Sequence, residues 1–290
     1  MITIVFWALA FVFTRLALQF FTAFSLGFLR YFAASVTLVL VIAKLKINPP
    51  RKKDFHWYVV SAASGFFLYM IFFNTGTKYV TAATSSIVIA TTPIITALLA
   101  SVFFKERLKV YQWMAVLIEF AGILILTLTG GSFSVNIGVC WLLVAALLIS
   151  IYNLIQRKLT KTYNSLQVSA YSILMGTVML AIFAPTSLKE IQQAPSIQFF
   201  YIAILGVFSS AIAYVSWAKA FSKAKNTSDV SNYMFVTPLI TGILGFIIAG
   251  EVPEMSTVFG GIVIILGVLL FNKESLINKN RVSIRAGMGE

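Results

Sequence analysis

Ten apolar runs separated by short polar connectors take up nearly all of this 290-residue chain, near 2–20, 26–44, 56–75, 80–103, 110–129, 137–156, 166–184, 198–221, 229–250 and 256–272. A helix needs about 20 apolar residues to cross a hydrocarbon core of roughly 30 Å, where each backbone N–H and C=O must be paired within its own segment. Ten such passes leave little chain for an enzyme domain. The expected fold is therefore all-α integral membrane, with ten transmembrane helices. Composition agrees: 59% of residues are hydrophobic and 11% charged, which a soluble domain with a wet exterior does not need.

The formal net charge of +13 does not point to nucleic acid, because the basic residues sit in short connectors and form no aromatic-interleaved face. They read as topology signals. With the N-terminus placed in the cytoplasm, the inside segments hold Lys44, Lys46, Arg51, Lys52 and Lys53, then Lys105, Arg107 and Lys109, then Arg157, Lys158 and Lys161. Lys219, Lys223, Lys225, Lys273, Lys279, Arg281 and Arg285 complete the set, 18 of the 22 basic residues. Only Arg15, Arg30, Lys78 and Lys189 fall toward the other side, so the positive-inside rule predicts ten helices with both termini cytoplasmic. Arg15 and Arg30 are expected to snorkel to the outer interface. The stretch from Met1 to Gln19 lacks a basic segment ahead of its apolar run and reads as a mature helix rather than a secretory signal.

Sliding the chain against itself by 145 residues aligns Thr92-Pro93 with Thr237-Pro238, Tyr69 with Tyr214, Lys78 with Lys223, Glu106 with Glu251 and Gly122 with Gly267. Coincident Pro, Tyr and Glu carry weight in a composition where coincident Leu or Ile would not. The expected organisation is a first five-helix repeat over 1–130, a second over 131–272 and a basic cytoplasmic tail over 273–290. Five is odd, so the second copy is inverted in the membrane relative to the first. Inverted repeats are a recurrent plan of alternating-access carriers, with the substrate near the midplane between the halves.

Two halves, each with a Thr-Pro fourth helix, a Glu-bearing connector and a Gly-containing fifth helix, resemble the EamA-type branch of the drug/metabolite transporter superfamily. The residues are Thr92-Pro93, Glu106 and Gly122, then Thr237-Pro238, Glu251 and Gly267, with Trp7 and Arg30 also suiting the pattern. The resemblance spans the chain from the first helix to Phe271. It implies the ten-helix inverted-repeat fold and transport, often export, of amino acids or related metabolites. Glu119 departs from it, standing where an apolar residue is usual and where the second copy has Ile264.

Glu119 lies in mid-helix, where a carboxylate is costly unless protonated, paired or facing water. It is a proton-coupling candidate; the competing reading is a neutral group buried in helix packing or at a homodimer contact. Ser85, Thr92 and Thr96 share one face of the fourth helix, and Tyr233, Thr237 and Thr241 one face of the ninth. Pro93 and Pro238 each remove an intrahelical hydrogen bond and free carbonyls that a cavity can use. The hydroxyls read either as cavity lining or as packing groups bonded back to the backbone. Trp7, Tyr69, Asn74, Tyr152, Asn153, Gln156, Tyr214 and Trp217 are further substrate-binding candidates, since amides and phenols at that depth need partners. Aromatics near helix ends serve equally as interfacial belts.

Lys219 reads as a cytoplasmic anchor and His56 as an interfacial structural residue. The single Cys140 excludes an internal disulfide and a multi-cysteine metal site. No grouping of nucleophile, base and acid occurs, and neither a catalytic set nor a cofactor or metal site is expected. The expected function is a secondary active transporter of a small organic metabolite such as an amino acid, working as an exporter by alternating access in a bacterial inner membrane. The alternatives are a proton-coupled multidrug exporter using Glu119, then a channel or a lipid-handling protein. The expected partners are a small-molecule substrate, the lipid bilayer and a second copy in a homodimer, without nucleic acid.

Overall fold

Chains of apolar residues with few helix breakers form long helices, and capping side chains decide where they start. Thr22, Thr81, Asn136 and Asn164 each accept a hydrogen bond from a backbone N–H two or three residues on, at 3.3, 3.2, 2.9 and 2.8 Å. At the other ends, Lys46 (φ 50°) and Gly250 (φ 63°) adopt the left-handed conformation that closes a last turn. The computed structural model describes residues 2–104, 109–129, 134–223, 230, 234, 236–271 and 273. Among them run ten helical rods: α1 Ile2–Ala17, α2 Ala23–Leu45, α3 Lys52–Tyr79, α4 Ala82–Phe103, α5 Val110–Thr127, α6 Ile137–Leu159, α7 Ser165–Gln192, α8 Ser196–Lys223, α9 Thr237–Ala249 and α10 Met255–Phe271. Six of these, α2, α3, α4, α6, α7 and α8, are long and apolar enough to cross a membrane, while α1, α9 and α10 are shorter apolar helices. The departure from all-helical structure is a two-residue antiparallel pairing of Leu128–Thr129 with Ser134–Val135.

The rods differ from ideal helices in informative places. The run expected over 80–103 is interrupted at Ala90 and Thr91, just before Pro93, whose missing N–H leaves the Ile89 carbonyl without its helical partner. The Thr92 hydroxyl takes over, donating to Ile89 O at 2.6 Å. α7 continues past the expected end at 184: a 3₁₀ turn over Ala181–Phe183 passes into a new helical start with Pro185 in its first turn, a position that needs no N–H. α3 and α8 each contain a π-helical stretch, Ala63–Phe67 and Ile204–Ile212. Shifted by 145, the first falls on residues 208–212 of the second.

The same shift relates the packing. Its mates are α1 and α6, α2 and α7, α3 and α8, α4 and α9, α5 and α10. α3 packs on α6 as α8 packs on α1; α4 packs on α6 as α9 packs on α1; α2 packs on α8 as α7 packs on α3. The heaviest contact joins α5 to α10. There Gly122 lies beside Gly260 and Ile264, and Gly267 beside Ala115 and Glu119. These are the same pairs after the shift, and their order shows that the two helices run antiparallel. At one end of the bundle, Tyr58, Ile155, Leu159, Tyr163 and Val168 form a separate apolar cluster. Beside it the Tyr163 hydroxyl donates to Asp54 Oδ2 at 2.5 Å and accepts from Arg51 N at 3.2 Å. Burial, and then that bond to Asp54, raise the Tyr163 phenol above its usual pKa.

Candidate functional site

The shift-related helices meet around a shared cavity. α1 contributes Trp7, Ala10 and Phe11, α3 contributes Tyr69 and Phe73, and α4 contributes Ser86, Ile89 and Ala90 next to its break. Arg30 enters from α2, Ile149 from α6, Tyr214 from α8, and Met234 and Thr237 from the approach to α9 and its first residue. Aromatic contacts hold this wall in place: Trp7 meets Tyr214 at 5.4 Å and Trp217 at 4.8 Å, and Phe11 meets Phe73 at 5.3 Å. Behind them Phe66, in the π segment of α3, touches Tyr31, Tyr152 and Tyr214 at 5.2, 5.2 and 5.1 Å. Such edge and tilted pairs fix ring orientation as well as bury area.

Of the residues singled out from sequence, Trp7, Tyr69, Tyr214 and Thr237 line this cavity. Asn74 instead ties α3 to the start of α2, donating from Nδ2 to Ala23 O at 2.8 Å. Thr92 repairs the α4 break, and its carbonyl accepts from Ser150 Oγ at 3.1 Å. Ser85, Thr96, Tyr152, Asn153, Gln156, Trp217 and Thr241 are buried in the bundle without lining the cavity. Trp217 Nε1 donates to Asn153 Oδ1 at 3.3 Å, and Trp217 also borders a second pocket with Ile2, Thr3 and Ile4 of α1. Tyr233 lies outside the described residues, as do Lys105, Glu106, Arg107, Lys225, Lys279, Arg281 and Arg285. Pro93 stands at the break in α4 and Pro238 in the first turn of α9. Lys219 and His56 are exposed.

Several buried polar atoms have no protein partner: the hydroxyls of Ser85, Thr96, Tyr152, Thr237 and Thr241, both side-chain polar atoms of Gln156, and Asn153 Nδ2. Buried polar groups are nearly always satisfied, and of these Thr237 is the one on the cavity wall.

Among the described residues two charged ones are buried, Glu119 as its packing reading has it and Arg30 against the expectation of snorkelling. Glu119 is buried at 3% exposure between α5 and α10, against the flat surface of Gly267, with Oε1 unpartnered. It does not line the central cavity. Arg30 was expected to snorkel to the interface; it is only 3% exposed, lines the cavity, and donates from Nε to Ser210 Oγ at 2.8 Å. Ser210 lies in the π segment of α8, so this bond ties α2 to α8. Sequence reasoning also missed Ser86, which lines the cavity beside the α4 break and spends its hydroxyl on Ala83 O at 2.7 Å. The signal for Arg30 was present, a cation within an apolar run, but an apolar helix gives no periodicity to say which way it faces.

Arg15, near the C-terminal end of α1, makes a set of bonds to neighbouring elements. One turn beyond Phe11 on α1, its Nε pairs with Glu251 Oε1 at 3.2 Å and an Nη donates to Lys78 O at 2.8 Å. Glu251 Oε2 in turn accepts from Ala82 N at 2.8 Å. The cluster links α1, the end of α3, the start of α4 and the connector between α9 and α10.

A family model described as the EamA-like transporter family matches this chain twice, over residues 1–128 and 136–273. The chain belongs to the EamA-like transporter family. Membrane transport, by a multi-pass protein, is thus its function class, and the named relatives are transporters rather than enzymes. A probable terminal-alkyne amino-acid exporter from Streptantibioticus cattleyicolor is 29% identical, with 97% of this chain and 95% of the relative covered. An S-adenosylmethionine uptake transporter from Rickettsia prowazekii is 23% identical over 89% of this chain and 86% of its own. A crystal structure at 16% identity superposes with a TM-score of 0.63 over 93% of this chain and 94% of the other, a likeness of fold. In this EamA-like transporter the cavity lies where both family matches contribute: α1, α2, α3 and α4 from the first and α6, α8 and α9 from the second.

Proposed function

We propose that this EamA-like transporter is a secondary active carrier that exports a small organic metabolite, such as an amino acid, by alternating access. In this reading ten spans form two inverted halves, 1–130 and 131–272, followed by a basic tail over 273–290, with both termini in the cytoplasm of a bacterial inner membrane. The observation that carries it is the corresponding packing of shift-related helices around one shared cavity. A site bounded by both halves can be opened to either side by rocking one half on the other, and the breaks in α3, α4 and α8 give the helices places to bend. The distribution of 18 of 22 basic residues supports the orientation. Export is favoured by the exporter among the relatives, although one relative is named for uptake.

With no phosphate-cradling loop in the sequence, the driving force is a gradient of substrate or of a coupled ion. The substrate is a small molecule met between the halves, the surrounding partner is the bilayer, and nucleic acid has no part. The apolar faces of α5 and α10, with Trp113, Leu117, Phe120, Phe259, Ile262 and Leu266 exposed, meet lipid or a second copy. Counterflow in proteoliposomes tests the carrier reading: internal unlabelled metabolite should accelerate uptake of the same labelled metabolite, with saturation. Flux that is linear in concentration and indifferent to internal substrate would point to a channel and refute it.

A further inference from the structure

The geometry points to Arg30 as the receptor for the carboxylate of the transported molecule, which makes the cargo a small organic anion or zwitterion with an apolar body. This rests on the carrier reading above and adds the chemical class of the cargo and the residue that selects it. A guanidinium offers five N–H donors in a planar fork whose spacing matches the two oxygens of a carboxylate. Arg30 spends Nε on the neutral Ser210 hydroxyl and otherwise lies 5.7 Å from the centre of the Tyr31 ring, with no carboxylate paired to it among the described residues. Glu251 is engaged by Arg15, Glu190 by the Thr22 N–H and Asp54 by Tyr163, while Glu119 lies between α5 and α10. A cation at 3% exposure with one neutral acceptor is an incomplete site, and the open side of it is the cavity.

The surroundings suit an anion. Among the described residues that line the cavity, Arg30 is the one formal charge, so the chamber attracts anions and disfavours cations. The phenols of Tyr69 and Tyr214 line the same wall and supply O–H donors that a carboxylate accepts. The Ser210 contact holds the guanidinium through Nε, so its remaining donors need not be reorganised when the anion arrives. Beyond the charged end, Trp7, Phe11 and Phe73 offer an apolar aromatic wall for the rest of the molecule.

Matched acids and amides test this in proteoliposomes of the full chain. The probes are L-phenylalanine, L-leucine and 3-phenylpropanoate, the amide of each, and phenethylamine, with a pooled cell extract read by mass spectrometry as a broad arm. The acids should show saturable counterflow at least roughly tenfold above their amides, because a site built to bond a polar group rejects an analogue lacking it. The extract components that exchange should all carry a carboxylate. Arg30→Gln should bring acid and amide to within about twofold of each other, and Arg30→Lys should restore part of the preference because it keeps the charge without the fork. Thermal unfolding checks that the variants are folded; if Arg30→Gln is not, the acid-to-amide ratio of the unaltered protein decides. Equal flux of acids and amides, preferential flux of phenethylamine, or a folded Arg30→Gln that keeps the acid preference would overturn the assignment. Absence of saturable exchange for every probe and for the extract is a different failure, and it overturns the carrier reading itself.

Discussion

Removing the charge of Glu251 should loosen one end of the central cavity. Glu251 joins Arg15 at 3.2 Å with the side chains 17% and 32% exposed, so the pair is partly screened by solvent and contributes about 0.5–1 kcal/mol. The Ala82 N–H bond at 2.8 Å gains from the charge of its acceptor, by about 0.5–1 kcal/mol over a neutral bond. Glu251→Gln keeps the shape and an acceptor oxygen for Ala82 but loses both increments, about 1–2 kcal/mol in all. If the closed arrangement at this end is the one these bonds hold, its ratio to the open arrangement falls by a factor of about 5–30. The assay uses a Cys140→Ser background with Ala10→Cys in the cavity, labelled by a membrane-impermeant maleimide from the side on which Arg15 lies. The labelling rate should rise by that factor in Glu251→Gln and stay unchanged in Lys189→Gln, which alters an exposed charge elsewhere. An unchanged rate in Glu251→Gln, or an equal rise in both, would refute the argument.

Three further outcomes follow from the same structure. Gly267→Leu should destabilise the chain by about 1–3 kcal/mol, seen as a lower melting temperature in detergent, because even a Cβ there would lie 3.0 Å from Ala115 O and 3.3 Å from Glu119 Cβ. Glu119→Gln should leave counterflow of any transported metabolite within about twofold of the unaltered protein, since Glu119 lies between α5 and α10 and not on the cavity wall; a tenfold loss would identify it as a coupling group. Because the Tyr163 phenol is raised above its usual 10.0, its contribution to stability is present below that pH and is lost as pH climbs through the raised value. Melting temperature scanned from about pH 8 to about pH 11 should therefore fall less steeply in Tyr163→Phe, which should also cost about 1–2 kcal/mol at neutral pH for the lost bond to Asp54.

The helices were legible because apolar length is a one-dimensional property, and the 145-residue match stood out because Pro93 and Pro238, or Tyr69 and Tyr214, are scarce enough for coincidence to mean something. Which residues face inward was not. In soluble helices the polar face marks the outside, but in α4 the adjacent Ser85 and Ser86 are both buried and indistinguishable in sequence, although only Ser86 lines the cavity. The inward turn of Arg30 depends on a partner 180 residues away, Ser210. The role of Thr92 was half visible: its neighbour Pro93 announced a freed carbonyl, and the hydroxyl that takes it up proved to be the adjacent one. Glu119 was conspicuous by its chemistry and its depth, while its location depends on the antiparallel crossing of α5 and α10, which a list of spans does not contain.

The π-helical stretches of α3 and α8 set a rotational phase. Each residue advances a helix by about 100°, so one additional residue in a turn re-aims everything beyond it by that angle. Tyr69 follows Ala63–Phe67 and Tyr214 follows Ile204–Ile212, and both point into the same chamber. Tightening either stretch to an α-helix with every residue kept would swing the downstream tyrosine to a neighbouring face without changing a single side chain. The two wide turns act as a matched pair of set screws, and the chamber keeps opposing phenols only while both hold the same setting.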